Sequence, residues 1–142
     1  MTSSSFDVVE VVAMQLIGAD ASVVPVTAEL GFRTSDPYTV RAAFTGAQST
    51  STWLLGRELL DLGMAATADQ PAGDGDVQVW RDEDPDYTLI SLSGVEGSAR
   101  LAAPTEPVMR FLAATESLVP LGGESEKMEG EISALIAALL TA

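Results

Sequence analysis

The chain reads as an α+β fold in which two antiparallel β-sheets pack with helices. Three observations lead there. Runs with a period of two recur between clusters of turn-forming residues, each group of runs is followed by a helical pattern, and no segment repeats at a fixed short period. At 142 residues, positions 1–142 fit a single domain, and a chain of that size buries about 68–70% of the surface its unfolded form exposes. Apolar residues make up 46% of the chain and charged residues 20%. That is core material enough to fold.

Residues 6–17, FDVVEVVAMQLI, begin the first group. Val8, Val9, Val12, Ala13 and Leu16 also fit a helical stripe, but valine loses rotamer freedom in a helix and packs well on a pleated surface, so the segment predicts a strand with both faces partly covered. GADAS at 18–22 is a turn. In VVPVTAELGFR, Val26, Ala28, Leu30 and Phe32 alternate with Thr27, Glu29, Gly31 and Arg33, which gives one apolar and one polar face. Pro25 suits a strand's beginning or an edge, because it has no N–H to donate. Thr34-Ser35-Asp36-Pro37-Tyr38 predicts a loop, since an Asp side chain bonds nearby backbone N–H groups and Pro37 presets φ. Residues 38–45 then put Tyr38, Val40, Ala42 and Phe44 on one face and Thr39, Arg41, Ala43 and Thr45 on the other. Arg33 and Arg41 both fall on the polar side, and their mutual position depends on register.

After the linker GAQSTS, the stretch TWLLGRELLDLG predicts a strand running into a short helix that Gly63 stops. ATADQPAGDGD is a loop. VQVWRD and YTLISLSG form a strand pair around DEDPD, and SARLAAP adds a third strand after the Gly94-Val95-Glu96-Gly97 turn. Two helices close the chain. Thr105 is placed to cap the first, with Glu106 at its positive end and Pro107 in its first turn, and Val108, Phe111, Leu112 and Thr115 mark its face. Gly122-Gly123 is a hinge. Ser125 is placed to cap a last helix whose Met128, Ile132, Leu135, Ile136 and Leu139 form an amphipathic stripe. Phe44 and Trp53 are expected to be buried.

Charge and composition narrow the function classes. Seven Lys+Arg against 21 Asp+Glu give a formal charge of −14, which repels phosphate backbones and anionic lipid unless the few cations cluster. The chain has no cysteine and no histidine. Thiolate nucleophiles, His-based triads and ordinary zinc sites are therefore excluded, leaving carboxylates, hydroxyls, Lys127 and the arginines. The first residues, MTSSSFDVVE, lack a basic segment ahead of the apolar run, and no apolar stretch approaches the roughly 18 residues a membrane helix needs. A cytoplasmic, soluble protein is the expectation.

Gly73-Asp74-Gly75-Asp76 and Asp82-Glu83-Asp84-Pro85-Asp86 carry oxygen ligands of the kind calcium takes, without EF-hand spacing. Acidic clusters at hairpin ends are more often solvated turns, so no metal, cofactor or catalytic residue is assigned. Nucleophile-elbow, Walker and dinucleotide motifs are absent from the sequence. Aromatics Phe32, Tyr38 and Trp53 interleaved with cations would suit single-strand nucleic-acid stacking, against which the net charge works. Three arginines are left as candidate protein-interaction residues. Arg33 and Arg41 share a polar face. Arg57 stands beside Trp53 and Glu58, either as a local ion pair with Glu58 or as part of a hot spot for a partner.

DPYTVRAAF at 36–44, WLLGRELLDLG at 53–63, GDGDVQVW at 73–80 and VPLGGE at 119–124, in that order, resemble the signature blocks of the SsgA-like proteins of morphologically complex actinomycetes. The resemblance implies a non-enzymatic morphogenetic adaptor of sporulation-specific cell division. It further implies a role in positioning septa and recruiting the tubulin-like protein FtsZ, with division proteins or another SsgA-like protein as partners. A Whirly-like fold, a homotrimer, and recruitment from the cytoplasm to the septum are implied as well, with single-stranded nucleic-acid binding as the alternative suggested by that fold. The MAATADQ stretch and the Ala-rich last helix depart from the family pattern.

Overall fold

The computed structural model describes residues 5–18, 20–47, 49–95 and 97–140, without the side chains of residues 125–128, 130 and 131. In chain order its elements are β1 (Val8–Ile17), β2 (Val23–Arg33), β3 (Asp36–Thr45), β4 (Thr50–Gly56), α1 (Arg57–Gly63), β5 (Val77–Arg81), β6 (Tyr87–Gly94), β7 (Gly97–Pro104), α2 (Thr105–Leu118) and α3 (Glu124–Leu140). Helices and antiparallel strands occur in the expected order. The expectation of two separate sheets is corrected: the strands form one seven-stranded sheet, β4-β3-β2-β1-β7-β6-β5. β1 joins the halves. It pairs with β2 along its whole length, while Gln15, Leu16 and Ile17 also pair with Ala102, Leu101 and Arg100 of β7. A strand paired on one side alone leaves a row of N–H and C=O groups open, and the second meander satisfies part of that row.

Alternation sorts the side chains as the sequence indicates. Val12 and Met14, Ala28, Leu30 and Phe32, Val40, Ala42 and Phe44, Leu55, Val79, Ile90 and Leu92, Leu101 and Ala103 are all buried on one face. Trp53 of β4 and Leu92 of β6 line the same cavity of about 260 Å³, although four strands separate theirs in the sheet order. The sheet must therefore curl, with the core on its inner face. Trp53 lies at the open end of that curl and is only partly buried, whereas Phe44 is buried as expected. Helix α1 packs on β3, β4 and β5, and α2 packs on β1, β7 and α1. Because the helices' buried faces meet the inner side, the other side of β1 stays open, and Val9 and Val11 are exposed rather than covered.

Local chemistry departs from expectation at three points. Residues 34 and 35 alone make the β2–β3 turn, with a register shift between Phe32 and Arg33, so Asp36 and Pro37 already belong to β3. Gly63 is the last residue of α1 rather than a left-handed stop, and Met64 beyond it keeps right-handed helical angles. Its lack of a side chain serves packing instead: a Cβ at 63 would collide with Val79 of β5. Thr105 makes no cap hydrogen bond; its buried hydroxyl meets Thr88 Oγ1 at 2.9 Å. The Ser125 cap lies outside the described side chains.

Candidate interaction surfaces

Arg33 and Arg41 come together on the outer face of the sheet, but not directly opposite each other. Arg41 pairs with Gly31 across the β2–β3 ladder, and Arg33 pairs with Asp36. What joins the two guanidinium groups is Phe6, just ahead of β1. The carbon at the centre of each guanidinium lies over its ring, 4.2 Å from the centroid for Arg33 and 5.6 Å for Arg41, and such contacts are worth about 0.5–1 kcal/mol each at exposed sites. Gly31 makes room: a Cβ there would stand 2.8 Å from ring carbons of Phe6. Hydrogen bonds also hold the segment down. Arg33 Nη2 donates to Ser5 Oγ at 2.8 Å, and the Thr34 N–H donates to Asp7 Oδ2 at 2.7 Å. Beside this cluster, Leu54 of β4 is exposed.

Arg57 is placed elsewhere. It begins α1, and its side chain is fully buried. The guanidinium donates to Val119 O at 2.6 Å, Thr115 Oγ1 at 3.4 Å, Pro120 O at 3.5 Å and Glu124 Oε2 at 2.8 Å, and it lies 5.0 Å from the centre of the Phe32 ring. Its ion-pair partner is thus Glu124, not the neighbouring Glu58, and its side chain is turned inward rather than toward an external partner. Burying a charge costs several kcal/mol unless it is paired and hydrogen-bonded, which is why the acceptors crowd around it. They belong to the end of α2 and the start of α3. A helix C-terminus favours a cation, and a helix N-terminus favours the Glu124 carboxylate. The hydrogen bond from Arg57 holds the Glu124 carboxyl below the ordinary glutamate range; burial opposes this, and the Gly122 N–H, which donates to Oε1 at 2.7 Å, adds to it.

Beyond Glu124, every described side chain of α3 is exposed. Ile132, Leu135, Ile136, Leu139 and Leu140 all face solvent, with Leu140 at 80% relative exposure. The stripe read from the sequence is real in spacing, yet it covers no sheet; Met128 lies outside the described side chains. The acidic loop at Asp82–Asp86 is built as a turn. Asp84 Oδ1 accepts the Asp86 N–H at 3.0 Å, and Arg81 ties the turn to α1 by donating to Pro85 O at 2.7 Å and Met64 O at 2.9 Å. Among the described residues no group of three or more acidic side chains is gathered closely enough to hold a metal. No described helix is long and apolar enough to cross a membrane.

Phe6, Gly31 and Glu124 were not singled out as site residues from the sequence. A glycine inside an otherwise well-packed strand signals close approach of another group, so Gly31 was the legible clue. Nothing local marks Glu124, which lies 67 residues from Arg57.

Comparison with known proteins places these features. The family model described as Streptomyces sporulation and cell division protein, SsgA, matches residues 26–124, a span that includes both Arg57 and Glu124. The sporulation-specific cell division protein SsgB of Thermobifida fusca is 38% identical over 132 residues, which span 91% of this chain and 93% of that protein. SsgB of Streptomyces coelicolor is 38% identical over 129 residues, covering 87% of this chain and 91% of its own. The crystal structure of an SsgA-like sporulation-specific cell division protein from Thermobifida fusca superposes with a TM-score of 0.78 at 38% identity, covering 96% of this chain and 98% of that one. A solved structure of SsgB, mutations in which correlate with longitudinal cell division during sporulation of Streptomyces coelicolor, gives a TM-score of 0.76 at 36% identity over 89% of this chain and 99% of that chain. The curled antiparallel sheet with its helices is the architecture of these relatives, and the chain belongs to the SsgA family of sporulation and cell division proteins.

Proposed function

We propose that the chain is a non-enzymatic, single-domain adaptor of sporulation-specific cell division, which helps to position septa and to recruit FtsZ through protein–protein contacts. It works as a homotrimer in the cytoplasm, of Whirly-like fold, and is drawn to the septum by division proteins or by another SsgA-like protein. The names of its relatives support the process. The observation that carries the mode of action is the solvent-facing, uncharged end of α3. Residues 132–140 contain no charged side chain in a chain of net charge −14, and their exposed aliphatic groups suit burial against another protein surface. The platform of Arg33, Phe6 and Arg41 offers a second, cationic patch suited to acidic partners.

The test is made in sporulating cells. Immunoprecipitation of the tagged chain is expected to recover FtsZ or another SsgA-like protein, and a fluorescent fusion is expected to form septal ladders. Evenly spread fluorescence together with normal septa in a clean deletion would refute the proposal.

A further inference from the structure

The two ends of the sheet are finished differently. β5 is tied off: on its outer side Val79 exchanges backbone hydrogen bonds of 2.9 and 3.0 Å with Ala72, and the Arg81 N–H donates to Ala66 O at 3.0 Å. β4, at the other end, pairs with β3 alone, and no backbone group among the described residues bonds to its free side. Folded proteins guard such an edge with charge, proline or a bulge. β4, TSTWLLG, has neither charge nor proline, and it runs in unbroken register with β3 from Thr39↔Gly56 to Thr45↔Thr50. On the inner side of this edge lies the cavity of about 260 Å³, walled by Trp53, Phe44, Leu92, Ala99 and Leu101. On the outer side a shallow hollow holds Leu54, Arg41 and Arg33, with Asp36 as the acidic residue among those described. Trp53 and Leu54 are neighbours on β4, so alternation sends one to each side.

We propose that β4 is a docking edge for an extended segment of another protein, which adds to the sheet as a further strand, lays an apolar side chain beside Trp53 and points a carboxylate toward Arg41. The inference rests on the reading that the chain acts through protein contacts, and it names the edge and the chemistry of the partner. The backbone selects the conformation, because a row of unpaired N–H and C=O groups is satisfied by another strand, which offers the same groups at the same spacing. The cavity selects the inward residues. In an added strand every second side chain projects to the side that Trp53 faces, and an apolar cavity of roughly 150 Å³ already accepts benzene, so this one has room for a leucine or phenylalanine side chain. Charge selects the outward residues. Arg41 stands opposite Leu54, so a residue added beyond Leu54 lies two strand spacings, about 10 Å, from Arg41, a gap that an extended arginine and a glutamate close together. Two arginines against one aspartate leave that side of the edge positive, and carboxylates elsewhere on the chain are screened beyond about 8 Å at physiological salt. The β4 of a second copy does not meet these needs: it has no carboxylate, and its Trp53 and Leu55 pack on its own core.

The test uses the purified chain and a labelled synthetic peptide in which glutamate alternates with valine, the central valine replaced by phenylalanine. Fluorescence anisotropy should show saturable binding, and amide hydrogen exchange across Thr50–Gly56 should slow about tenfold or more on binding. The same residues reordered so that they no longer alternate should bind about tenfold more weakly or worse. Methylating the amide nitrogens at one alternate set of peptide positions should abolish binding, while the other set, facing away from β4, should tolerate it. Ala99→Phe fills the cavity and should weaken binding about tenfold. Arg41→Glu should reject the glutamate peptide and accept its lysine counterpart. Should either variant fold poorly, the methylated peptides still decide. Failure of the alternating peptide to bind, or identical effects of the two methylation patterns, overturns the added strand. Binding untouched by Ala99→Phe overturns the cavity as its anchor, and an unchanged charge preference in Arg41→Glu overturns the acidic partner. If Thr50–Gly56 instead grows more protected as the chain alone is concentrated, a second copy occupies the edge and the proposal falls. None of these readouts depends on recovering division proteins from cells, so this inference and the adaptor reading fail separately.

Discussion

Helices α2 and α3 are neighbours in the chain and carry stripes of the same kind, yet the fold takes in one and leaves the other in water. Val108, Phe111, Leu112 and Thr115 of α2 are buried against the curled sheet, whereas Ile132, Leu135, Ile136 and Leu139 of α3 are exposed. The difference is not one of apolarity, since α3 is the richer in aliphatic residues toward its end. It lies in what each helix is fastened by. α2 is held along its length by the core, whereas among the described side chains of α3 the buried one is Glu124, in an ion pair with Arg57. An amphipathic pattern tells that a face seeks cover, not whether the same chain supplies it.

The contrast is open to attack by mutation, most forcefully in the core. Phe111→Ala should cost about 3–5 kcal/mol in urea unfolding, the usual loss for an aromatic removed from a packed interior. Arg57→Met should cost a comparable amount, about 3–5 kcal/mol, because it leaves the Glu124 carboxylate buried without its partner, and the double change Arg57→Met/Glu124→Met should recover most of that loss. Gly31→Ala should cost about 1–3 kcal/mol by driving Phe6 from its seat between the arginines. In a Phe6→Ala background that penalty should largely vanish, and persistence of the full cost would show that the strand itself, not the ring, requires the glycine.

The pH dependence follows from Glu124. Arg57 holds its carboxyl below the ordinary glutamate value of 4.5, so between the two values the unfolded chain binds more protons than the folded one, and stability rises with pH there. The contribution of the Arg57–Glu124 pair is fully present above pH 4.5 and is lost as pH falls through the depressed value. Acid titration of the parent and of Glu124→Gln should therefore converge toward low pH, while parallel curves would deny the coupling. The smallest effect belongs to α3: Leu139→Ala should change the stability of dilute protein by no more than about 0.5 kcal/mol. A loss matching that of Phe111→Ala would mean that α3 is part of the core after all.

Much of this was legible beforehand, and the limits have physical reasons. The period of two in β2 and β3 gave the inward faces, since a strand's side chains alternate whatever it pairs with. It could not tell that β1 borders both β2 and β7, because alternation describes faces and not neighbours; hence one sheet appeared where two were expected. Arg33 and Arg41 were placed on one polar face from sequence, but the ring between them comes from a segment with no pattern of its own. Arg57 illustrates the opposite failure. An arginine after a strand reads as surface, and its burial depends on acceptors supplied by the far end of α2 and the start of α3, which no local window contains.

The sharing of β1 has a consequence for synthesis. Because Gln15, Leu16 and Ile17 bond to Arg100, Leu101 and Ala102, the first strand made must wait for the last strand before this part of its free edge is covered. Until the ribosome has released that distant stretch, the nascent N-terminal meander displays an open ladder that invites mispairing. Chains truncated before Gly97 should accordingly need a chaperone or precipitate.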